Sequence, residues 1–270
     1  MREVVRGIDV SIVQGRTIDW QRVADAGIRF AYLKCSEGMG NGDASFRRNA
    51  DEARRVGVAP GPYHFARTSL SPGMSTLKDD AIGEAQRLLA FNGDVGELPG
   101  DLPPALDLET HSGMTDAWCA QWARLWLDEV EITIQRVPVN YTGRYDAQTG
   151  DPMGGIHALI ADATRNPLWL PQYLLRKLPD GSRRAVTWEE AIAMEPPTLK
   201  PWGAPRILQF SGGDNKLPGN LVPGIPGWVD CNLFYGSEAD FLDFIGLGTQ
   251  PAAVPEVGSP AGEDDPPEAA

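Results

Sequence analysis

The chain has 270 residues, 42% of them hydrophobic and 23% charged, enough apolar material for one large domain and too much for global disorder. Its formal net charge of −13 repels phosphate backbones and anionic lipid, which argues against nucleic acid and membrane surfaces as partners. Three scattered cysteines and the lack of any apolar run of about 18 residues argue against a disulfide framework and a membrane-spanning helix.

The N-terminus, MREVVRGIDV, has no apolar stretch of the secretory kind. It reads as the start of a protein made in a reducing cytoplasm without a signal peptide. Strand-like runs follow at residues 4–10, 28–34, 61–65, 105–108, 137–141, 168–173, 207–210 and 229–234. Between the first five lie helices at 19–26, 44–56, 79–91 and 115–135, the second with Asp43 as N-cap and Gly57 as its stop. The stretch after the fifth strand, through Asp162, has room for one more helix. Beyond it Pro- and Gly-rich loops lengthen, and helices reappear only at 188–194, with a Thr187…Glu190 capping box, and at 238–245. Strand–helix alternation implies parallel strands joined by right-handed crossovers, and eight strands are enough to close a barrel. The fold class is therefore α/β: a modified TIM-like barrel of eight strands with about five main helices, and helices missing after strand five. Residues 1–249 form the barrel. Residues 250–270, with five acids and no base among Pro and Ala, read as a disordered tail.

Active sites of such barrels form at the C-terminal mouth of the strands, and alternate strand residues face opposite sides. In Pro104-Ala-Leu-Asp-Leu-Glu-Thr110 this alternation sends Leu106 and Leu108 outward and turns Asp107 and Glu109 to the axis. Asp9 is flanked by Ile8 and Val10 in the same way, and Asp230 lies on strand eight, beside strand one in a closed barrel. One acid alone would be an ordinary cap or ion-pair partner; four on three strands point to a shared site. Crowding and burial favour retention of a proton, and a protonated carboxyl beside an ionised one is what glycosidic cleavage uses.

An ordered set of motifs accompanies these acids. It comprises Gly7-Ile-Asp-Val-Ser11 with Gln14-Gly15 and Ile18-Asp19-Trp20, Tyr32-Leu-Lys-Cys-Ser-Glu-Gly38, Asp43…Phe46…Asn49 and Gly61-Pro-Tyr-His-Phe65. Leu106-Asp-Leu-Glu109, Tyr141-Thr142, Leu168-Trp-Leu170, Gln209-Phe210 and Val229-Asp-Cys-Asn232 complete it. Together, over roughly residues 5–245, they resemble glycoside hydrolase family 25, the Chalaropsis-type lysozymes. The resemblance implies a flattened eight-stranded barrel and N-acetylmuramidase activity on the β-1,4 bond between N-acetylmuramic acid and N-acetylglucosamine. By position Glu109 matches the family's proton donor, Asp107, Asp9 and Asp230 its other acids, and Tyr63 a tyrosine of the active-site wall. Phe210, Pro171 and a longer 174–200 depart from the family's habit.

On this reading Glu109 is the general acid and then the base. Asp107 holds charge near the sugar, and either a carboxylate attacks directly or the substrate's own 2-acetamido group attacks with Asp107 orienting it; Asp9 and Asp230 tune Glu109 and bind sugar hydroxyls. Tyr63, Tyr141, Trp169 and Trp202 are candidate platforms for sugar rings. Lys34 and Glu37, near the end of strand two, are either an internal ion pair or contacts of the cleft. Trp118, Trp122 and Trp126 recur at i, i+4, i+8 and read as core. His64, His111 and His157 lack metal-ligand spacing, so no metal or cofactor is expected. The expected partner is peptidoglycan, bound by a monomer. The layout fits a phage or prophage endolysin that reaches the wall after release. The rival classes are a glycan-binding barrel without catalysis and a divalent-metal hydrolase.

Overall fold

A computed structural model describes residues 2–14, 17–68, 76–111, 113–160, 165–212 and 219–248. The 250–270 stretch and residues 213–218 lie outside the described residues. The strands are β1 (Val4–Val10), β2 (Phe30–Glu37), β3 (Ala59–Phe65), β4 (Ala105–Asp107), β5 (Val139–Tyr141), β6 (Leu168–Pro171), β7 (Leu175–Lys177), β8 (Arg183–Ala185), β9 (Ile207–Ser211), β10 (Asn220–Leu221) and β11 (Trp228–Tyr235). The helices are α1 (Trp20–Asp25), α2 (Phe46–Arg55), α3 (Leu77–Phe91), α4 (Asp116–Ile134), α5 (Gly154–Leu159), α6 (Trp188–Ala193) and α7 (Glu238–Phe244).

Eight strands close a barrel in the order β1-β2-β3-β4-β5-β6-β9-β11, with β11 pairing back onto β1. The pairs from β1 to β9 are parallel, as the alternation requires. β11 corrects that expectation: it runs antiparallel to both β1 and β9. The connection from β9 to β11 holds no helix among its described residues, and only the two-residue β10 intervenes. A short return without a crossover helix gives an antiparallel neighbour. Past β5 the helices shrink to six or seven residues.

Two apolar layers result. Outside the strands, Ile8, Val10, Leu33, Leu106, Leu108 and Leu208 pack against Trp122, Trp126 and Leu127 of α4 and Ala81, Ala85 and Leu88 of α3. Inside, Phe30, Tyr32, Ala105, Val139, Trp169, Ile207 and Phe234 fill the barrel, and Phe241 and Ile245 join them from α7 and the residue that caps it. Caps follow the sequence: Thr115 accepts from the Trp118 amide, and Thr187 and Ser237 form complete capping boxes. Asp43 does not cap α2, a place taken by Ser45; it binds the Ser45 amide and hydroxyl from the preceding turn.

Trp122 and Trp126 are fully buried, but Trp118 is 57% exposed. A four-residue step on an α-helix turns by about 40°, so a series of three drifts off the buried stripe. Cys119, three residues before Trp122, takes the inward place.

Candidate active site

Three strands deliver the acids. Ile8 and Val10, like Leu106 and Leu108, are locked outward among the helices, which leaves Asp9 and Asp107 turned to the axis at the C-terminal ends of β1 and β4. Glu109 follows β4 by two residues, on the rim. The antiparallel run of β11 decides the position of Asp230. It sits near the start of its strand and pairs in register with Asp9, so both reach the same mouth. A parallel β11 would have carried Asp230 to the opposite end.

The four carboxyls surround a cavity of about 200 Å³, whose wall includes Lys34, Tyr63, Phe65, Tyr141, Trp169, Tyr173 and Gln209. A wider cavity of about 560 Å³ adjoins it, sharing Glu109, Tyr141 and Tyr173 and adding Arg144, Tyr145 and Gln172. Asp9 is 7% and Asp107 6% exposed; Glu109 and Asp230 are half-buried. Such burial is sustained by a hydrogen-bond chain. The Gln209 and Asn232 side-chain amides donate to Asp9 Oδ2 at 2.9 and 2.8 Å. Tyr141 Oη donates to Gln209 Oε1 at 2.9 Å, and Trp169 Nε1 to Asn232 Oδ1 at 2.7 Å.

Electrostatically the acids form two pairs in which burial and mutual charge favour the protonated form. Burial pushes Asp9 up to about 6 against the Asn232 and Gln209 hydrogen bonds, and burial with the Asp9 charge pushes Asp230 up to about 8. Asp230 is thus the donor and Asp9 the acceptor of their shared hydrogen bond. Burial, then the charges of Glu109 and Asp9, hold Asp107 well above the usual carboxylate range. Burial also raises Glu109, opposed by its contact with Asp107 and by the Lys34 and Arg67 charges. One buried oxygen, Asp107 Oδ1, has no partner.

A set of paired carboxyls at a barrel mouth is a glycosidase arrangement, and comparison with known proteins bears on it directly. The sequence pattern described as Glycosyl hydrolases family 25 matches residues 8–190. The chain belongs to glycosyl hydrolases family 25. As a family 25 glycoside hydrolase it is 30% identical over 246 residues to YegX of Escherichia coli strain K12, covering 89% of this chain and 73% of YegX. It is 26% identical over 245 residues to Lysozyme M1 of Streptomyces globisporus, covering 88% and 70%. The crystal structure of a bacterial lysozyme from Streptomyces coelicolor superposes with a TM-score of 0.68 at 25% identity, over 89% of this chain and 96% of that one.

The other predicted site residues of this family 25 hydrolase divide. Tyr63 and Tyr141 line the inner cavity. Trp169 touches it only as floor: it is 2% exposed, stacked on Tyr32 at 4.5 Å, with its N–H bound to Asn232, so its faces are not free for a sugar. Trp202 is outside the site, edge-on to His157 at 5.4 Å and donating to the Asn166 carbonyl at 3.0 Å. Lys34 combines both readings offered for it, lining the cavity and bonding Glu37 Oε2 at 2.5 Å. Glu37 does not line either cavity; it bridges Lys34 to Arg67. His64 is scaffold, bound to Ser36 Oγ at 2.8 Å and Glu84 Oε2 at 2.9 Å.

Gln209, Asn232, Tyr173 and Gly212 also belong to the site, although the sequence pattern alone does not mark them. Gln209 and Asn232 lie in family-like motifs, but only the register of β9 and β11 aims them at Asp9. At Gly212 a Cβ would lie 2.6 Å from Asp230 Oδ1 and 2.8 Å from the Tyr173 ring, so glycine is needed for the acid to sit there.

Proposed function

We propose that the protein is a muramidase, a lysozyme that hydrolyses the β-1,4 bond from N-acetylmuramic acid to N-acetylglucosamine in peptidoglycan. The observation that carries this is the convergence of Asp107 and Glu109 on one open cleft at the barrel mouth, where burial favours their protonated forms, backed by the second acid pair Asp9–Asp230. The likeness to Lysozyme M1 and the S. coelicolor lysozyme supports the substrate class.

Glu109 reaches both cavities, whereas Asp107 lines only the inner one. Glu109 is therefore the proton donor to the leaving oxygen. Passage of the shared proton from Asp107 to Glu109 does two things in one move: it arms Glu109 as an acid and leaves Asp107 an ionised acceptor. Asp107, on the wall of the inner cavity, suits the N–H of the substrate's 2-acetamido group. Carboxyls that flank a sugar as acid and nucleophile stand about 5 Å apart. A pair in direct hydrogen-bond contact leaves no room for a ring between its members. We therefore favour attack by the acetamido oxygen on C1 as the C1–O bond breaks and Glu109 protonates the leaving group. Glu109 then takes a proton from the water that opens the cyclic intermediate. Asp9, kept as the ionised member of its pair by Gln209 and Asn232, stabilises the cationic sugar.

We infer that the protein acts on the bacterial wall as a lysin; no helix of the described residues is long and apolar enough to cross a membrane. Digestion of purified walls is the test. Turbidity should fall, full activity should persist in EDTA, and the released muropeptides should carry N-acetylmuramic acid at the reducing end. Reducing-end N-acetylglucosamine would overturn the specificity, and intact walls the enzymatic reading.

A further inference from the structure

The β7–β8 hairpin is a basic arm on an acidic protein. It carries Arg176, Lys177, Arg183 and Arg184 against a single acid, Asp180 in its turn. Arg176 and Arg184 face one another in register, and both bond Glu190 of α6, at 2.5 Å from Arg176 and 2.7 and 2.8 Å from Arg184. That side is neutralised. Along the strands side chains alternate, so Lys177 and Arg183 share the other side, directly opposite each other and both exposed. Among the described residues neither has a carboxylate within ion-pair distance, and Asp180 is held by the Ser182 amide and hydroxyl at 2.9 and 2.6 Å. Like charges directly opposite destabilise a strand pair, and a two-stranded hairpin is marginal to begin with. The arrangement weakens the element that carries it and is relieved only by an anion.

The position of the arm says where that anion comes from. The hairpin is rooted by the Leu174 amide on the Phe210 carbonyl at 2.9 Å and the Val186 amide on the Leu174 carbonyl at 3.1 Å. Tyr173, the residue just before this root, lines both cavities of the cleft. Four residues of extended chain separate it from Lys177, a reach of about 13 Å. A glycan strand seated in the cleft would carry its peptide stems within that distance of the bond being cut.

We propose that Lys177 and Arg183 form a docking site for the carboxylates of peptide stems on the strand bound in the cleft. The proposal rests on the muramidase reading. Phosphate-bearing wall polymers offer the same charge, but they are not tied to the sugar in the cleft, and the stems are.

The test measures binding rather than turnover. Soluble peptidoglycan chains are titrated into Glu109→Gln protein, with and without Lys177→Ala/Arg183→Ala, and circular dichroism checks the fold of each. Two exposed ion pairs predict a Kd about three- to ten-fold weaker for the double variant at low salt. That difference should vanish near 0.5 M NaCl, where screening is short-ranged. It should also vanish for chains whose carboxylates have been converted to amides. An equal loss on native and amidated chains, or no loss on native chains, would overturn the proposal. So would a loss seen only on walls that retain phosphate polymer, which would assign the arm to that polymer. Failure of wild-type protein to clear walls would sink the muramidase reading without touching this binding result.

Discussion

Glu109 and Asp107 are two residues apart in sequence but distinct in duty, and conservative substitutions separate them. Glu109→Gln removes the proposed proton donor and keeps the shape; kcat on peptidoglycan should fall about 10³-fold, the usual scale for a lost general acid, with near-ultraviolet circular dichroism unchanged. Asp107→Asn should also lower kcat. It should in addition weaken inhibition by a thiazoline analogue of the cyclic acetamido intermediate, because an amide cannot replace a carboxylate acceptor. Equal inhibition of wild type and Asp107→Asn would argue against the assisted route. Lys34 offers a pH test. Burial raises Glu109, and the nearby Lys34 and Arg67 charges pull it back down. Lys34→Met removes a cation that favours the ionised form, so the alkaline limb of kcat/KM should move to higher pH. The four acids were legible in the sequence because each interrupts an alternating apolar run. Trp169 was not, because a residue at the barrel floor and one at its mouth share the same alternation, and depth is set by partner strands far away in the chain. Tyr173 gave no signal of its own; it enters the site because β6 ends at Pro171 and the chain turns along the rim.

At the scale of elements, β2, β3 and α3 are joined by a buried polar relay, Ser36–His64–Glu84, whose last oxygen also accepts the Arg67 amide at 3.0 Å. Burial lowers His64 to about 3 and raises Glu84 to about 8, so both are neutral through the middle of the pH range. Glu84→Ala strands the partners of two buried hydrogen bonds and should cost about 2–4 kcal/mol in urea unfolding, whereas Glu84→Gln should cost far less. The pH sign is fixed by linkage. Folded Glu84 holds its proton more tightly than the unfolded chain, whose value is near 4.5. The Glu84 contribution to stability therefore falls as pH rises from about 4.5 to about 8 and is level above that, and above about 6.5 the opposing His64 contribution no longer changes. Glu84→Gln should flatten part of that decline in Tm between pH 6 and 8; an unchanged slope would mean that Glu84 is already ionised. The strands themselves were readable from period-two patterns. The direction of β11 was not, because its pattern is the same in either sense. Only the lack of a crossover helix among the described residues between β9 and β11 reports it, and the proposed role of Asp230 depends on it. Gly212→Ala tests that seam: crowding of Asp230 and Tyr173 should lower activity while β9 and β11 stay paired.

For the whole molecule the dominant fact is a formal charge of −13 on an enzyme proposed to work on an anionic wall. Long-range repulsion slows encounter, and it acts over the Debye length, about 30 Å at 0.01 M salt and about 10 Å at 0.1 M. The hairpin acts differently, through two cations at contact distance, and cannot cancel a field summed over the entire surface. Clearing of native walls should therefore speed up as NaCl rises from 0.01 to 0.1 M, because screening removes the repulsion before it removes contact pairs. Walls stripped of phosphate polymer and with amidated carboxylates should be cleared at a rate nearly independent of salt over that range, since the substrate no longer repels the enzyme. Rates that fall steadily from 0.01 M upward on native walls would mean that local attraction governs the encounter and that the net charge of the chain does not.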